Sequence, residues 1–339
     1  MFSNEKVEPA FIRDKYGFTE QLISYLNGVE RTLPDSEMLQ KIIINAYTDN
    51  DREAKKVLQH ALFVIYQCPL SYPLSHPASL QYDPHLIMLK TEIEKNWLSN
   101  EFGNMYLPAV ADIPDRFGDF LRTVWQSHTA SHHALFDFLE KEASREQIYC
   151  FFKSDSALNL LFFDLVASTL IGSHPETRGT ICENLWDEVG QGDNVCTHVN
   201  LYKEVLSRQG IKLPRNHYID MYDLEALAGH NAFMIGCNNR RHYYKLLGVM
   251  AMTEVLDPPQ YEKLVKGCLR VGLIDRDVKY YTEHITVDIK HGDDWLYNVI
   301  ETLINKHHET KMEFYQGSLL RLNTAGKYYD HLLEKLKTL

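Results

Sequence analysis

One stretch near the carboxyl end constrains the fold most strongly, because it places polar groups on the inner face of a helix. Residues 280–291 read Tyr-Tyr-Thr-Glu-His-Ile-Thr-Val-Asp-Ile-Lys-His. On an α-helix, positions i, i+4 and i+7 lie within roughly 60° of one another. His284, Asp288 and His291 therefore form one stripe along a predicted helix.

Aromatic residues extend that stripe in both directions, which predicts that its polar groups are buried. Tyr280 and Tyr281 precede the stripe and Trp295 follows it. A buried carboxylate between two imidazoles costs free energy unless something satisfies it. A metal ion would do so, and this mixture of ligands suits iron or manganese. A hydrogen-bonded core triad without metal is the alternative, and this stretch alone leaves both interpretations open.

Charge and composition exclude several classes of function. Hydrophobic residues make up 45% of the 339 residues, and the formal net charge of -11 argues against a nucleic-acid binder or a basic membrane-surface protein. No apolar run approaches the roughly 20 residues that span a bilayer. The first residues lack the layout of a signal peptide. The six cysteines are scattered without a CxxC pair, so we expect reduced thiols and a cytoplasmic protein.

Helical periodicity runs through the chain and no segment alternates as a strand does, so we predict an all-α fold. The region up to residue 124 is irregular and contains a proline-rich break. We interpret residues 1–124 as an N-terminal helical arm or dimerisation region, and we expect a homodimer. Residues 125–339 form the second predicted domain. Within it, Ser144 and Gln147 predict a capping box, and Asp257 before two prolines predicts a helix end and the next N-cap.

Two earlier helical regions also place ionisable side chains on apolar faces. Glu188 shares a face with Ile181 and Leu185, and His198 follows ten residues later on another inward face. The glycines between them give the backbone the freedom to bring both side chains to one place. Glu254 lies on a third apolar stripe. The candidate metal ligands are thus Glu188, His198, Glu254, His284, Asp288 and His291.

Three carboxylates with three histidines form a plausible two-metal set, because they balance much of the charge of two divalent ions. A structural polar network is the alternative, although each unpaired buried group would cost free energy. The paired Glu-x-x-His motifs of ferritin-like bundles do not occur, and neither does the HExxH motif of zinc hydrolases. We therefore favour a metal site of a different type, with no catalytic residues predicted beyond the ligands.

These residues resemble the haem-oxygenase-like di-iron oxidases and oxygenases, the iron-containing redox enzyme family. The resemblance rests on Asn-Leu-Trp-Asp-Glu-Val-Gly-Gln-Gly at 184–192, on His198, on Glu254 and on the HxxxDxxH spacing from His284. The stretch from His132 to Gln147 also looks like the opening core helix of this family. The resemblance covers roughly residues 125–310 and leaves the first third of the chain outside it.

The resemblance implies a haem-oxygenase-like bundle of about seven core helices, with two irons and no haem. It implies that O₂ is a co-substrate and that an external reductant supplies electrons. Some N-oxygenating relatives carry an additional carboxylate ligand on the first core helix. Asp164 or Asp155 could take that place here, and a solvent-facing aspartate is the alternative.

Enzymes of this family oxidise amines, amino acids or fatty acids. From the resemblance we predict an O₂-dependent di-iron oxygenase that N-oxygenates an amino acid or small amine in the biosynthesis of a specialised metabolite. Desaturation, C–C fragmentation or oxidative decarboxylation of an amino or fatty acid is one alternative. A metal-free helical interaction protein of the same fold is another. The expected partner is a small-molecule substrate, with neither nucleic acid nor membrane involved.

Overall fold

The computed structural model describes residues 14–103, 105, 107–215 and 217–339, and within these ranges the regular structure is helical with no β-strand. The predicted all-α class is therefore confirmed. The chain divides into two compact units. Unit 1 comprises residues 1–107 and 214–235, and unit 2 comprises residues 108–213 and 236–339. The functional division after residue 124 and the homodimer stay predictions.

The helices of unit 1 begin where the sequence provides capping side chains. The Asp35 carboxylate accepts a hydrogen bond from the backbone N–H of Met38, and Asp51 caps the next helix in the same way. Such caps satisfy backbone donors that have no partner within the helix. The helices are α1 (Phe18–Leu26), α2 (Ser36–Tyr47), α3 (Arg52–Ile65), α4 (His76–Ser79) and α5 (Pro84–Gly103).

Unit 2 is built around two long helices, α13 (Tyr243–Arg270) and α16 (Lys311–Lys337), with α14 (Lys279–Asp293) packed along α13. A π-helical segment, Asp294–Glu301, continues α14. Helix α12 begins in unit 1, and its last residues belong to unit 2. Apart from α12 (Leu224–Asn238), which the two units share, the helices from residue 108 onward are α6 (Phe117–Ser127), α7 (Ala134–Lys141), α8 (Arg145–Asn159), α9 (Phe162–Leu170), α10 (Arg178–Glu188), α11 (His198–Arg208), α13 (Tyr243–Arg270), α14 (Lys279–Asp293), α15 (Thr302–Ile304) and α16 (Lys311–Lys337).

Two local predictions have opposite outcomes. The capping box of Ser144 and Gln147 is present at the start of α8, so that prediction is confirmed. The predicted helix end and N-cap at Asp257 are wrong, because α13 continues through Pro258 and Pro259. Each proline removes a helical hydrogen bond at a cost of roughly 3 kcal/mol. Burial of α13 against α14 and α16 outweighs that cost, so packing decides the helix length here.

No helix in the described ranges combines the length and the apolar character needed to cross a lipid bilayer.

Candidate metal centre

A sharp turn after α10 brings His198 back to Glu188. Gly190, Gln191 and Gly192 have φ values of 61°, 54° and 91°, all in the left-handed region. Gly190 also lies so close to the returning chain that an added Cβ would stand 2.5 Å from the carbonyl carbon of Cys196. Glycine is the residue that accepts both conditions without steric cost. The glycine-containing turn therefore places the start of α11 beside the end of α10.

The first cluster consists of Glu188, His198 and His284, all buried in unit 2. The Nδ1 atom of His198 lies 2.9 Å from Oε1 of Glu188, and the rings of His198 and His284 have centroids 4.3 Å apart. His284 Nδ1 lies 2.7 Å from the carbonyl oxygen of Tyr280. A carbonyl oxygen can only accept, so Nδ1 carries the hydrogen and Nε2 is left with a lone pair for a metal.

Burial and neighbouring charge act in opposite directions on the two imidazoles of this cluster. Burial, together with the adjacent His198, lowers the pKa of His284 to about 3. Burial also lowers the pKa of His198, but the charge of Glu188 and the bond to it outweigh burial and raise that pKa overall. His284 is therefore a neutral imidazole at physiological pH, which is the form that binds a metal.

The second cluster consists of Glu254 on α13 with Asp288 and His291 on α14. The two helices approach closely at Gly292, where an added Cβ would lie 2.9 Å from a methyl carbon of Val255. A side chain at this position would meet Val255, so that either Val255 or the helix would have to shift. The glycine that follows His291 thus permits the approach that brings the three side chains together.

The geometry of the second cluster suits a metal ion better than a hydrogen bond. His291 Nδ1 lies 3.6 Å from Oε2 of Glu254 and 3.5 Å from Oδ1 of Asp288. Nδ1 is buried and has no hydrogen-bond partner in the described parts of the chain. Ligands that bind one ion at about 2.1 Å are separated by roughly 3–3.5 Å from each other. Carboxylate and imidazole are also the donors that iron accepts, so the residues present fit such an ion.

Excess negative charge dominates the second cluster. Burial raises the pKa of Asp288 well above its usual value, and the charge of Glu254 raises it further. Burial lowers the pKa of His291, but its interactions with Asp288 and Glu254 outweigh burial and raise that pKa to about 11. Without a cation, the cluster compensates by holding protons. A divalent ion would supply the same positive charge and displace them.

The last turn of α10 contacts both clusters. Glu188 belongs to the first cluster. One turn earlier, Asn184 donates from Nδ2 to Oε1 of Glu254 at 3.1 Å. Between them, the carboxylate of Asp187 accepts a hydrogen bond from Nε2 of His291 at 3.0 Å. Helix α14 also contributes to both clusters. His284 of the first cluster and Asp288 of the second are one turn apart, a separation of roughly 6 Å along the helix axis.

Aromatic side chains surround the first cluster. The ring of Tyr280 lies 4.1 Å from the ring of His284, and Tyr261 lies 6.0 Å from it. Phe152 stacks on Tyr281, and the Tyr202 hydroxyl donates to the Phe152 carbonyl at 2.6 Å. These rings keep bulk water from the imidazoles, and low local polarity strengthens electrostatic interactions there.

The structure brings all six predicted ligands into these two groups. It does not place Asp164 or Asp155 in either of them: Asp164 is half-buried, and Asp155 accepts a hydrogen bond from Asn159 at 2.7 Å. Sequence reasoning missed Asp187 and Asn184, although both lie within the motif at 184–192. It also misjudged Asp257, whose pKa burial raises to about 8. Glu254 and Asp257 are three residues apart, a spacing that places both on one face of a continuous helix. This spacing was the available signal that Asp257 is part of α13.

Comparison with known proteins supplies one curated relative. Nitrosourea synthase from Streptomyces achromogenes subsp. streptozoticus is 27% identical over 128 residues, which cover 36% of this chain. The match covers only 26% of the length of that protein.

A family model described as iron-containing redox enzyme matches residues 150–326, which is just over half of the chain. The match includes all six candidate ligands and the helices that carry them. This description supports an oxidoreductase that uses iron. The chain therefore belongs to the iron-containing redox enzyme family and has its all-α, haem-oxygenase-like fold.

Proposed function

We propose that this protein is an O₂-dependent di-iron oxygenase that transfers one oxygen atom to the nitrogen of an amino acid or small amine. The observation that carries the proposal is the pair of buried three-residue clusters. Each cluster offers three donors within reach of one ion, and together they use all six predicted ligands. The related protein is named nitrosourea synthase, and a nitrosourea contains an oxidised nitrogen atom. This name supports nitrogen as the atom that is oxidised.

Each cluster would hold one iron. Glu188, His198 and His284 would hold the first, and Glu254, Asp288 and His291 the second. When bound, two irons of variable valence would pass electrons from the external donor to O₂. The protein's own contribution is to fix the ligand set and to shield it from water.

The charges of the two clusters differ in a way that suits two irons with different roles. The first cluster has two imidazoles and one carboxylate, and the second has one imidazole and two carboxylates. A carboxylate carries a negative charge and a neutral imidazole does not, so each carboxylate lowers the net charge of an ion together with its ligands. The second cluster would therefore offset more of the positive charge of a bound iron than the first cluster would.

The proposed reaction balances with an external reductant. An amine R–NH₂, O₂, two electrons and two protons give R–NHOH and water. One oxygen atom forms the new N–O bond, and the other leaves as water. The two electrons come from an external donor, for which ascorbate or a reduced flavin serves in vitro.

The test is direct oxidation of candidate substrates. Iron-loaded, reduced protein is mixed with ¹⁸O₂ and a panel of amino acids and small amines, and the products are analysed by mass spectrometry. We expect one ¹⁸O atom on nitrogen in at least one product, and no such product with the Glu254→Ala variant. Loss of two hydrogens, of CO₂ or of a carbon fragment without N-oxygenation would replace this proposal by desaturation, decarboxylation or fragmentation. Absence of any iron-dependent O₂ consumption would refute it.

A further inference from the structure

The motif at 184–192 contains two polar residues whose role the ligand set does not explain, Asn184 and Asp187. Each forms a hydrogen bond with a ligand of the second cluster. We propose that Asp187, assisted by Asn184, is a positioning residue that holds the second cluster in the geometry for an iron ion. This inference rests on the proposed function, because it assumes that an ion binds there.

Asp187 determines which nitrogen of His291 can become a ligand. Its Oδ2 atom lies 3.0 Å from Nε2 of His291, and a carboxylate accepts but does not donate. Nε2 must therefore carry a hydrogen. Nδ1 is left as the nitrogen that faces Glu254 and Asp288, at 3.6 and 3.5 Å. Histidines that bind metals generally donate their second N–H to such a partner, which orients the ring and makes it a better ligand.

Asp187 is itself held in place before any ion binds. Its second oxygen, Oδ1, accepts a hydrogen bond from Nε2 of Gln191 at 3.0 Å. Gln191 occupies the left-handed turn that also brings His198 to Glu188. The turn thus fixes the orientation of Asp187, and Asp187 fixes the ring of His291.

Asn184 acts on Glu254 in a parallel way. Its Nδ2 lies 3.1 Å from Oε1 of Glu254, which leaves Oε2 to face His291. The side chain of Asn184 is buried, and its Oδ1 atom has no hydrogen-bond partner in the described ranges. One turn of α10 therefore supplies a ligand to the first cluster and two orienting contacts to the second.

The position of Asp187 makes it suitable for a test. Its side chain is 23% exposed and borders a surface pocket of about 600 Å³, together with Trp186 and Lys290. Replacing a residue at this edge does not open a cavity in the core. The matched control is Glu183 on the same helix, an exposed residue that lines the same pocket and pairs with Lys290 at 2.8 Å.

The experiment titrates ⁵⁷Fe²⁺ without oxygen into the apo forms of wild type, Asp187→Asn, Asp187→Ala and the control Glu183→Gln. Iron affinity is measured by chelator competition, and the two environments are separated by Mössbauer spectroscopy. We expect both Asp187 variants to bind one iron as wild type does and to bind the other roughly 10- to 100-fold more weakly. The spectrum of that iron alone changes, and the melting temperature of the apo protein stays near that of the control.

Two results would overturn the inference. In the first, Asp187→Ala binds both irons with wild-type affinity and spectra. In the second, the apo variants melt well below the control and lose both irons together, which indicates a structural role. Both results leave the proposed function intact provided that wild type binds two irons. A wild-type protein that binds no iron fails the proposed function itself.

Discussion

Both units bury histidines, and the comparison shows why burial alone does not make a metal site. In unit 1, His60 is 0% and His230 is 3% exposed, and neither ring nitrogen of either residue has a hydrogen-bond partner in the described ranges. In unit 2, His284 and His291 are equally buried but face carboxylates or another imidazole. His60 and His230 thus occupy the core without hydrogen bonds to their ring nitrogens, whereas His284 and His291 lie among groups that could share a metal ion with them.

The electrostatic consequences differ accordingly. Burial lowers the pKa of His60 to about 4 and that of His230 to about 3. In the second cluster of unit 2, two carboxylates outweigh burial and raise the pKa of His291 to about 11. The sign of the shift follows from the partners, and the partners distinguish a candidate ligand from a core residue.

The largest expected effect comes from removing one ligand. His284→Ala and Glu254→Ala should each lower iron-dependent O₂ consumption by at least about a hundredfold, because a complete set of donors is needed for each ion. His60→Leu, a buried histidine of unit 1, should leave the rate within about twofold. An oxygen electrode measures all three rates. Equal losses in all three variants would mean that His284 and Glu254, like His60, merely support the fold.

The next effect concerns stabilisation by iron. A ligand that binds only the native state stabilises it by about 2.7 kcal/mol at one hundred times its dissociation constant. Anaerobic Fe²⁺ should therefore raise the melting temperature of wild type and of His60→Leu, but raise that of Glu254→Ala less. The ion must also displace protons from the second cluster, where the pKa of His291 is raised to about 11.

Iron stabilisation should accordingly be larger at pH 8 than at pH 6. In the apo protein, by contrast, the contribution of His291 to the free energy of unfolding decreases as pH rises. A raised histidine pKa contributes stability that is present below pH 6.5 and is lost as pH rises through the folded value. Melting curves at both pH values, with and without Fe²⁺, separate the two contributions. Iron stabilisation that does not depend on pH would contradict this description of the second cluster.

Acid should act on unit 1 through its unpartnered histidines. Because the folded pKa values of His60 and His230 are lowered, the unfolded chain binds more protons below pH 6.5, and stability falls as pH falls toward about 4. The expected loss is about 2 kcal/mol per histidine between pH 8 and pH 5.

His60→Leu should reduce the loss of stability between pH 8 and pH 5, because leucine fills a similar volume but does not titrate. Urea unfolding at these two pH values measures the free energy of unfolding, and His132→Leu on an exposed segment is the control. A wild type and a His60→Leu variant with the same pH dependence would show that His60 does not titrate as its burial implies.

The smallest expected effect concerns the aspartate considered as an additional ligand. Asp164 is half-buried, and burial raises its pKa, but it belongs to neither cluster. Asp164→Asn should therefore change iron content and O₂ consumption by less than about twofold. Iron analysis of the purified variant measures this. Loss of one iron would show that the ligand set extends to α9.

The sequence predicted the helical class and the six clustered side chains because both follow from periodicity. A polar residue can be predicted to face the core when it lies at helical spacing from apolar neighbours, as His284, Asp288 and His291 do. Asp187 was not visible in this way, since it lies about 100° from Glu188 around the helix and reads as solvent-facing. Only the three-dimensional approach of α14 brings His291 to it.

The error at Asp257 has a related cause. Two consecutive prolines predict a helix end from local rules, and those rules hold for isolated helices. Here α13 is buried along most of its length, and packing energy that no local pattern records keeps it continuous. The division of the chain into units, with residues 214–235 grouped with the N-terminal helices, likewise depends on contacts between residues far apart in sequence.

The most direct test of the central claim is the iron content of the wild-type protein after anaerobic reconstitution and removal of unbound metal. Iron is counted by elemental analysis, and the two sites are resolved by Mössbauer spectroscopy. If the two buried clusters are metal sites, the protein holds two irons per chain in distinct environments. A protein that retains no iron under these conditions would contradict the account, and its six buried side chains would then form a structural network.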